Sequence, residues 1–284
     1  MLQVIPVVNH KGGVGKTTTA VNLAAGLAAA GRRVLLLDLD SQGSATLSLG
    51  LNPETPGCAA ALYRTAHLAD TVQATSVPNL FVSPGTLALS HVDVRLAAVP
   101  IRVGRLRQVL ASVRDDYDVI LLDCSPSTSL LTMNALVAAD ALVIPVTPDY
   151  LAIQGLMSFG HLVRNVRAAI GRLAPVLGIA LTKANPGRAI TSDVHGMLRD
   201  RFGGKVFDTV VRSDDALRAA PAHGQPISSF APESDGAEDY AALTAEVASR
   251  IDRYSAIFSS PAAGVVTNER AAAVERAAAL RLAA

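Results

Sequence analysis

Six short apolar runs recur along the chain, and longer segments rich in alanine and leucine separate them. In chain order the runs are LQVIPVV, RVLLLDLD, NLFVSP, YDVILLDC, ALVIPVTP and PVLGIALT. Runs that are apolar at nearly every position are typical of parallel strands that are buried on both sides by helices. The sequence therefore predicts an α/β fold with a doubly wound, mostly parallel sheet that is flanked by helices.

The segments between these runs have the spacing of amphipathic helices. We expect helices over residues 16–30, 101–115, 128–138, 150–171, 189–202 and 236–253. With 284 residues, half of them hydrophobic, the chain is long enough to bury one large core. We therefore expect a single domain over 1–258, followed by an alanine-rich tail over 259–284 that is loosely helical or disordered.

Composition restricts the compartment and the class of partner. Two cysteines, Cys58 and Cys124, and no signal-peptide pattern predict reduced thiols in a cytosolic protein. No apolar run approaches the roughly 18 residues of a membrane span, so we expect no membrane-spanning helix. The net charge is only +1, so a nucleic-acid site would have to be a local basic patch.

A glycine-rich stretch, NHKGGVGKTT, lies between the first apolar run and the first predicted helix. Glycines let a backbone approach phosphates closely, and the amides at a helix N-terminus favour anions. We expect phosphates to be held by Gly12, Gly13, Val14, Gly15, Lys16, Thr17 and Thr18. Lys16 should contact the β- and γ-phosphates, and the Thr17 hydroxyl should ligate Mg²⁺. Against the pattern G-x-x-x-x-G-K-[ST], the first glycine is replaced by His10.

Three aspartates follow apolar runs that should lie next to this loop. Asp38 and Asp40 end the second run, and Asp123 ends the fourth. Ligands of parallel α/β sheets gather at the carboxyl ends of the strands, so these side chains should converge on the phosphates. Asp123 is expected to hold Mg²⁺ directly or through water. A helix-capping or ion-pair role is the alternative for each aspartate, above all for Asp38.

Several of these motifs resemble one known family. The stretch KGGVGKTT resembles the deviant phosphate-binding loop, or P-loop, of the ParA/MinD group of ATPases. DLDSQGSAT is similar to that group's DLDPQGNAT, and DVILLDCSPS is similar to its Walker B segment. ALVAADALVIPVTP and SFAPESDGAEDY also resemble stretches of ParA proteins, so the similarity extends over residues 3–254.

The resemblance implies a slow, Mg²⁺-dependent ATPase that forms a homodimer when ATP is bound. It implies that Lys11 reaches across the dimer interface to the nucleotide of the partner; the alternative is a lysine that serves its own subunit's phosphates. It also implies that Asp40 orients or activates the attacking water, with Asp38 in support. Ser41 and Ser44 replace the family's usual proline and asparagine, so we expect a looser switch region.

The same resemblance implies non-specific binding to double-stranded DNA and a ParB-like partner that stimulates hydrolysis. Basic residues outnumber acidic ones between residues 161 and 225, which suits contacts with a phosphate backbone. The candidate DNA contacts are Arg188, Lys205, Arg212 and Arg218. Arg212 should also help to close the nucleotide pocket. The alternative for each of these residues is an ordinary solvated helix face.

The sequence favours a cytoplasmic, nucleoid-associated ATPase that partitions a chromosome or plasmid. A MinD-like ATPase acting on a membrane or another cargo is the first alternative, although the tail lacks the bulky apolar residues of a membrane anchor. An ATP-dependent ligase or reductase component and a non-enzymatic ATP switch are two more. Cys58 and Cys124 are expected to be buried and inert rather than ligands of an iron–sulfur cluster.

Overall fold

The computed structural model describes residues 4–97, 102–170 and 174–258, which contain one eight-stranded sheet. The strands are β1 Val4–Val7, β2 Val34–Leu39, β3 Gln73–Ala74, β4 Leu80–Ser83, β5 Val119–Cys124, β6 Leu142–Val146, β7 Val176–Ala184 and β8 Val206–Arg212. Their order across the sheet is β3-β4-β2-β5-β1-β6-β7-β8. All neighbours pair in parallel except β3, which is antiparallel to β4. The predicted fold class is confirmed.

The helices cover both faces of this sheet. They are α1 Lys16–Ala29, α2 Ser44–Ser48, α3 Cys58–Leu62, α4 Val92–Ala97, α5 Arg105–Ala111, α6 Leu130–Ala138, α7 Leu151–Ile170, α8 Ala189–Phe202, α9 Asp215–Ala219, α10 Ile227–Phe230 and α11 Asp235–Phe258. Short 3₁₀ turns occupy Ala69–Thr71, Leu87–His91, Arg114–Asp116, Gly203–Lys205 and Ala220–His223. Among the described residues, every helix is too short or too polar to cross a membrane.

Side chains of the central strands alternate between two hydrophobic cores. Along β2, Leu35 and Leu37 pack in one core and Leu36 in the other. Residues of α3 to α8 complete the first core, and residues of α1, α10 and α11 complete the second. This arrangement explains why the central strands read as continuous apolar runs, since β1, β2, β5 and β6 are buried on both faces. It also brings the carboxyl ends of β1, β2 and β5 together at one edge.

Strand β8 forms one end of the sheet, and carboxylates of α11 accept hydrogen bonds from several main-chain amides of this strand. The amides of Asp208 and Thr209 donate to the carboxylate of Glu246 at 3.0 and 3.2 Å. The amide of Arg212 donates to Asp239 at 2.7 Å. Three main-chain donors of an edge strand are thus occupied by carboxylates rather than by a further strand.

The predicted helix positions agree with the structure in most places and differ in one. The helix expected over 101–115 is much shorter, Arg105–Ala111, because Gly104 precedes it and a 3₁₀ turn follows. Strands β3 and β8 and the short helices α2, α3, α4, α9 and α10 were not predicted. The single domain expected over 1–258 stays a prediction. The predicted tail, 259–284, lies outside the described residues.

Candidate functional site

The glycine-rich loop connects β1 to the first turn of α1. Gly13 and Gly15 have φ angles of 73° and 80°, a region that favours glycine. Gly15 directly precedes α1, so the loop ends at the free amides of the helix N-terminus. The Thr182 hydroxyl lies 2.9 Å from the carbonyl oxygen of Val14 and fixes the loop to the end of β7.

Lys16 begins α1 and folds back over the loop. Its Nζ donates to the carbonyl oxygen of Lys11 at 2.8 Å, and the residue is only 7% exposed. Burial lowers the pKa of Lys16, and the neighbouring Asp123 carboxylate acts in the opposite direction. The loop therefore holds a desolvated ammonium group at its centre. Because little water screens this group, its attraction to a phosphate is strong there.

Asp38 and Asp123 lie directly opposite each other on the neighbouring strands β2 and β5. Both are fully buried; the Thr17 hydroxyl is near enough to oppose the rise in the Asp123 pKa, but among the described residues neither oxygen of Asp123 has a well-aligned hydrogen-bond partner. Burial, followed by the charge of Asp38, raises the pKa of Asp123 well above its ordinary value. An unpartnered buried carboxylate is costly unless it meets a cation. Together with the hydroxyl of Thr17, an oxygen donor, Asp123 fits the predicted Mg²⁺ site.

The carboxylate of Asp38 is saturated by hydrogen bonds from the switch loop, which we define as residues 40–50. One oxygen accepts from the amide and the hydroxyl of Thr46 at 2.9 and 2.8 Å, and the other accepts from the amide of Asp40 at 3.1 Å. The Thr46 hydroxyl in turn accepts from the amide of Gly85 at 3.0 Å. Asp38 therefore fixes the backbone of Asp40.

Asp40 lies half-buried at the start of the switch loop. Its Oδ1 accepts from the amide of Gln42 at 3.0 Å, and its main-chain oxygen accepts from Gly43. Its charge is close enough to oppose, in small part, the lowering of the Lys16 pKa by burial. The structure thus brings Asp40, Asp38, Asp123 and the loop together at one edge of the sheet.

Lys11 forms an ion pair within its own subunit. Its Nζ lies 2.6 Å from Oδ2 of Asp149, which also accepts from the Thr147 hydroxyl at 2.8 Å. Burial alone would raise the pKa of Asp149, but these hydrogen bonds outweigh it and the pKa is lowered. The side chain of Lys11 is 40% exposed, and it lies beside Tyr150 and Leu151, which are more than half exposed.

A cavity of about 210 Å³ adjoins the loop on the side of β7 and β8. Gly15 and Thr18 line one wall, and Leu217, Arg218 and Pro221 line the other. Phosphates held at the start of α1 would leave a sugar and a base in this cavity, which we call the base cavity. Of its lining, only the loop residues and two arginines were singled out from the sequence, because most of the outer wall comes from helices that were not predicted.

The four predicted DNA contacts do not form one patch. Arg188 and Arg218 are exposed at the nucleotide edge, by which we mean the side of the sheet where the carboxyl ends of the parallel strands lie. Lys205 precedes β8, so it lies at the opposite edge, roughly 20 Å away at the ordinary rise of a strand. Arg212 lines the base cavity, and its guanidinium pairs with three carboxylates, which leaves less charge for DNA. Those carboxylates belong to Asp235, Glu238 and Asp239.

The cysteines behave as expected. Cys58 and Cys124 are buried, and burial raises the pKa of both thiols well above the ordinary value. The Cys58 thiol donates to the main-chain oxygen of Asp38 at 3.3 Å. Both residues are therefore packing elements of the core rather than nucleophiles.

Comparisons with known proteins agree with this geometry. A family model described as an AAA domain matches residues 2–174. The sporulation initiation inhibitor protein Soj of Bacillus subtilis is 41% identical over 254 residues, which cover 87% of this chain and 99% of that protein. The chromosome-partitioning ATPase Soj of Treponema pallidum is 38% identical over 245 residues, covering 86% and 96%. The chain belongs to the ParA/Soj family of partitioning ATPases.

A solved structure supports the same assignment. Cobyrinic acid a,c-diamide synthase of Mycobacterium smegmatis, with bound ADP and magnesium, matches with a TM-score of 0.76 at 28% identity and covers 86% of this ParA/Soj chain and 93% of its own. The predicted family, the predicted ATPase activity and the predicted use of ATP and Mg²⁺ are confirmed. The roles of individual site residues stay predictions.

Three polar residues of this ParA/Soj chain were not singled out from the sequence. Asp149 and Thr147 follow β6, and the rule that indicated Asp123 applies equally to them, since they lie at the carboxyl end of a parallel strand. Thr46 is the last residue of the stretch DLDSQGSAT, so a signal was present there. Its partners Asp38 and Gly85 lie 8 and 39 positions away.

Proposed function

We propose that this chain is an ATP-dependent homodimer that binds DNA without sequence preference and drives chromosome or plasmid segregation. A ParB-like partner would stimulate its hydrolysis, and the protein would reside in the cytoplasm on the nucleoid. The position of Lys11 carries the proposal, because its ammonium group is partly exposed and pairs with Asp149 rather than folding back over the loop as Lys16 does.

Two lysines of the loop have different surroundings, which supports different roles. Lys16 is desolvated over the loop, whereas Lys11 is paired with Asp149 next to exposed apolar residues. Tyr150 and Leu151 are 62% and 64% exposed, and large apolar groups at an edge favour association with another surface. A second copy of the chain would cover them and bring its own Lys11 toward the phosphates of the first.

In hydrolysis the residues of this chain would position and stabilise charge. Bound Mg²⁺ neutralises charge that develops on the phosphates. Asp123 and Thr17 would hold that ion, Lys16 would contact the phosphates, and Asp40 would orient the water. Because Asp38 and Thr46 hold the backbone of Asp40, its carboxylate would keep a constant direction toward the phosphates.

Exposed cations at the nucleotide edge support contact with DNA. Arg188 and Arg218 lie there, and a dimer formed through this edge would present two copies of each. Contacts of this kind are electrostatic and weaken with salt. We expect Lys205, at the other edge, to contribute less to DNA binding.

The experiment measures dimerisation and DNA binding separately. ATP with Mg²⁺, but not ADP, should give a dimer in sedimentation and should retard arbitrary duplex DNA. Lys11→Ala should abolish both effects and leave the monomer folded. Arg188→Ala should weaken DNA binding without changing dimerisation, and Lys205→Ala is its matched control because it removes the same charge from the opposite edge.

Other outcomes point to the alternatives. An ATP-dependent dimer that binds anionic vesicles but not DNA would favour a MinD-like function. A monomer at saturating ATP would contradict the proposal. Turnover of ATP only with an added carboxylic acid and an amine donor would favour a synthase, the activity named for the similar Mycobacterium smegmatis protein.

A further inference from the structure

The switch loop touches the outer wall of the base cavity through two glycines. A Cβ on Gly224 would lie 2.6 Å from the Cα of Gly50 and 2.9 Å from its nitrogen. A Cβ on Gly50 would lie 3.3 Å from the main-chain oxygen of Gly224. The two backbones are therefore in direct contact, and neither position has room for a side chain without movement.

Both glycines sit at rigid ends of short helical turns. Gly50 has a φ of 73° and donates to the carbonyl oxygen of Leu47, which closes α2. Gly224 has a φ of 64° and donates to the carbonyl oxygen of Pro221, which closes the 3₁₀ turn Ala220–His223. Movement of one turn is thus passed to the other by contact between backbones, without a flexible side chain between them.

The Gly224 side of this contact is part of the cavity wall segment, which we define as residues 213–224. Leu217, Arg218 and Pro221 of this segment line the base cavity. The main chain just after it is attached to α1, because the amide of Ile227 donates to the side chain of Asn22 at 2.8 Å. The wall segment therefore has one fixed end close to the phosphate-binding loop.

The Gly50 side leads to Asp40. Helix α2 holds Thr46, whose amide and hydroxyl donate to the same Asp38 carboxylate that accepts from the amide of Asp40. At its other end, α2 begins directly after Gly43. This glycine is closely packed, because an added Cβ would lie 2.7 Å from Pro53. A shift of α2 by the wall segment would therefore be transmitted to the carboxylate network that fixes Asp40.

We propose that the Gly50–Gly224 contact couples the base cavity to the switch loop, so that a bound base and sugar set the position of Asp40. Gly50 and Gly224 are positioning residues in this scheme. The coupling depends on the proposed nucleotide site, since it assigns the base to this cavity. It predicts that a nucleotide without β- and γ-phosphates already orders the switch loop.

Hydrogen exchange measured by mass spectrometry tests this coupling with AMP as the probe. In the parent protein, AMP should slow exchange in peptides covering 213–224 and also in peptides covering 40–50. If opening of the loop requires loss of the ligand, the slowing at ten times Kd approaches about elevenfold. In Gly224→Ala, AMP at ten times that variant's own Kd should still protect 213–224 but change exchange over 40–50 by less than about twofold.

Gly31→Ala is the matched control. Gly31 also has a positive φ, 85°, but an added Cβ there meets nothing within 4 Å, so this variant should respond to AMP as the parent does. If Gly224→Ala fails to fold, Gly50→Ala replaces it, because its Cβ contact of 3.3 Å requires a smaller shift.

Each outcome of the exchange experiment is decisive. Protection of 213–224 without protection of 40–50 in the parent would overturn the coupling alone. Equal protection of 40–50 in the parent and in Gly224→Ala, or in Gly50→Ala where that variant replaces it, would also overturn the coupling. Absence of AMP protection over 213–224 in the parent would overturn both the coupling and the assignment of the base cavity.

Discussion

Replacing Thr46 by valine should destabilise the protein far more than removal of one ordinary hydroxyl. The Thr46 hydroxyl donates to the Asp38 carboxylate at 2.8 Å and accepts from the amide of Gly85 at 3.0 Å, and all three residues are buried. Valine has nearly the same shape, so Thr46→Val removes both hydrogen bonds without opening a cavity.

The two lost hydrogen bonds set the size of the effect. A hydrogen bond to a charged group contributes about 1.5–3 kcal/mol, and a buried amide left without a partner costs about 1–3 kcal/mol. Since the amide of Thr46 still donates to Asp38, the carboxylate keeps part of its stabilisation. We therefore expect Thr46→Val to lower the free energy of unfolding by about 3 kcal/mol or more.

Urea unfolding followed by circular dichroism measures this difference. Thr46→Ser keeps the hydroxyl and loses one methyl group, so it should cost only about 1 kcal/mol. Thr244→Val is a second control, because the buried Thr244 hydroxyl donates only to the carbonyl of Tyr240 within α11 and its loss should cost about 1 kcal/mol. If Thr46→Val and Thr46→Ser are equally stable, the hydroxyl does not join the switch loop to the sheet.

Two further substitutions test the electrostatics of the site. Asp123→Asn should raise the free energy of unfolding of the nucleotide-free protein by about 1 kcal/mol or more at pH 7, because burial and Asp38 raise the pKa of Asp123. The gain in the free energy of unfolding should grow as pH rises from the ordinary pKa of 3.8 and vanish below it. Equal stability of Asp123→Asn and the parent in urea at pH 7 would contradict the argument. Asp149→Asn should cost less than about 1 kcal/mol at pH 7, because its ion pair with Lys11 is more than one-third exposed. Since the pKa of Asp149 is lowered, that small contribution should disappear as pH falls below 3.8, and a loss of several kcal/mol at neutral pH would refute this account.

Long regular elements could be predicted because their pattern depends on local periodicity. The runs that became β1, β2, β5 and β6 are buried at every position, so they needed no knowledge of their neighbours. Strand β8 was missed for the opposite reason. It lies at the end of the sheet, and the polar pair Asp208 and Thr209 interrupts its apolar residues, so VFDTVVR is not a continuous apolar run.

The candidate site was predictable where residues lie at strand ends, and less so where they act through distant partners. Asp38, Asp40 and Asp123 follow apolar runs, so their convergence followed from the parallel sheet alone. The Lys11–Asp149 pair joins residues 138 positions apart, and the contact between Gly50 and Gly224 joins two loops. Neither arrangement has a local pattern in the sequence.

The carboxylates that cap strand β8 have a consequence for how copies of the chain can meet. An open strand edge would recruit another chain through main-chain hydrogen bonds, and such growth has no natural end. Here Glu246 and Asp239 already occupy three of the donors along that edge. Edge-to-edge extension of the sheet into fibres is thereby discouraged at this side of the molecule, even at high local concentrations of the protein.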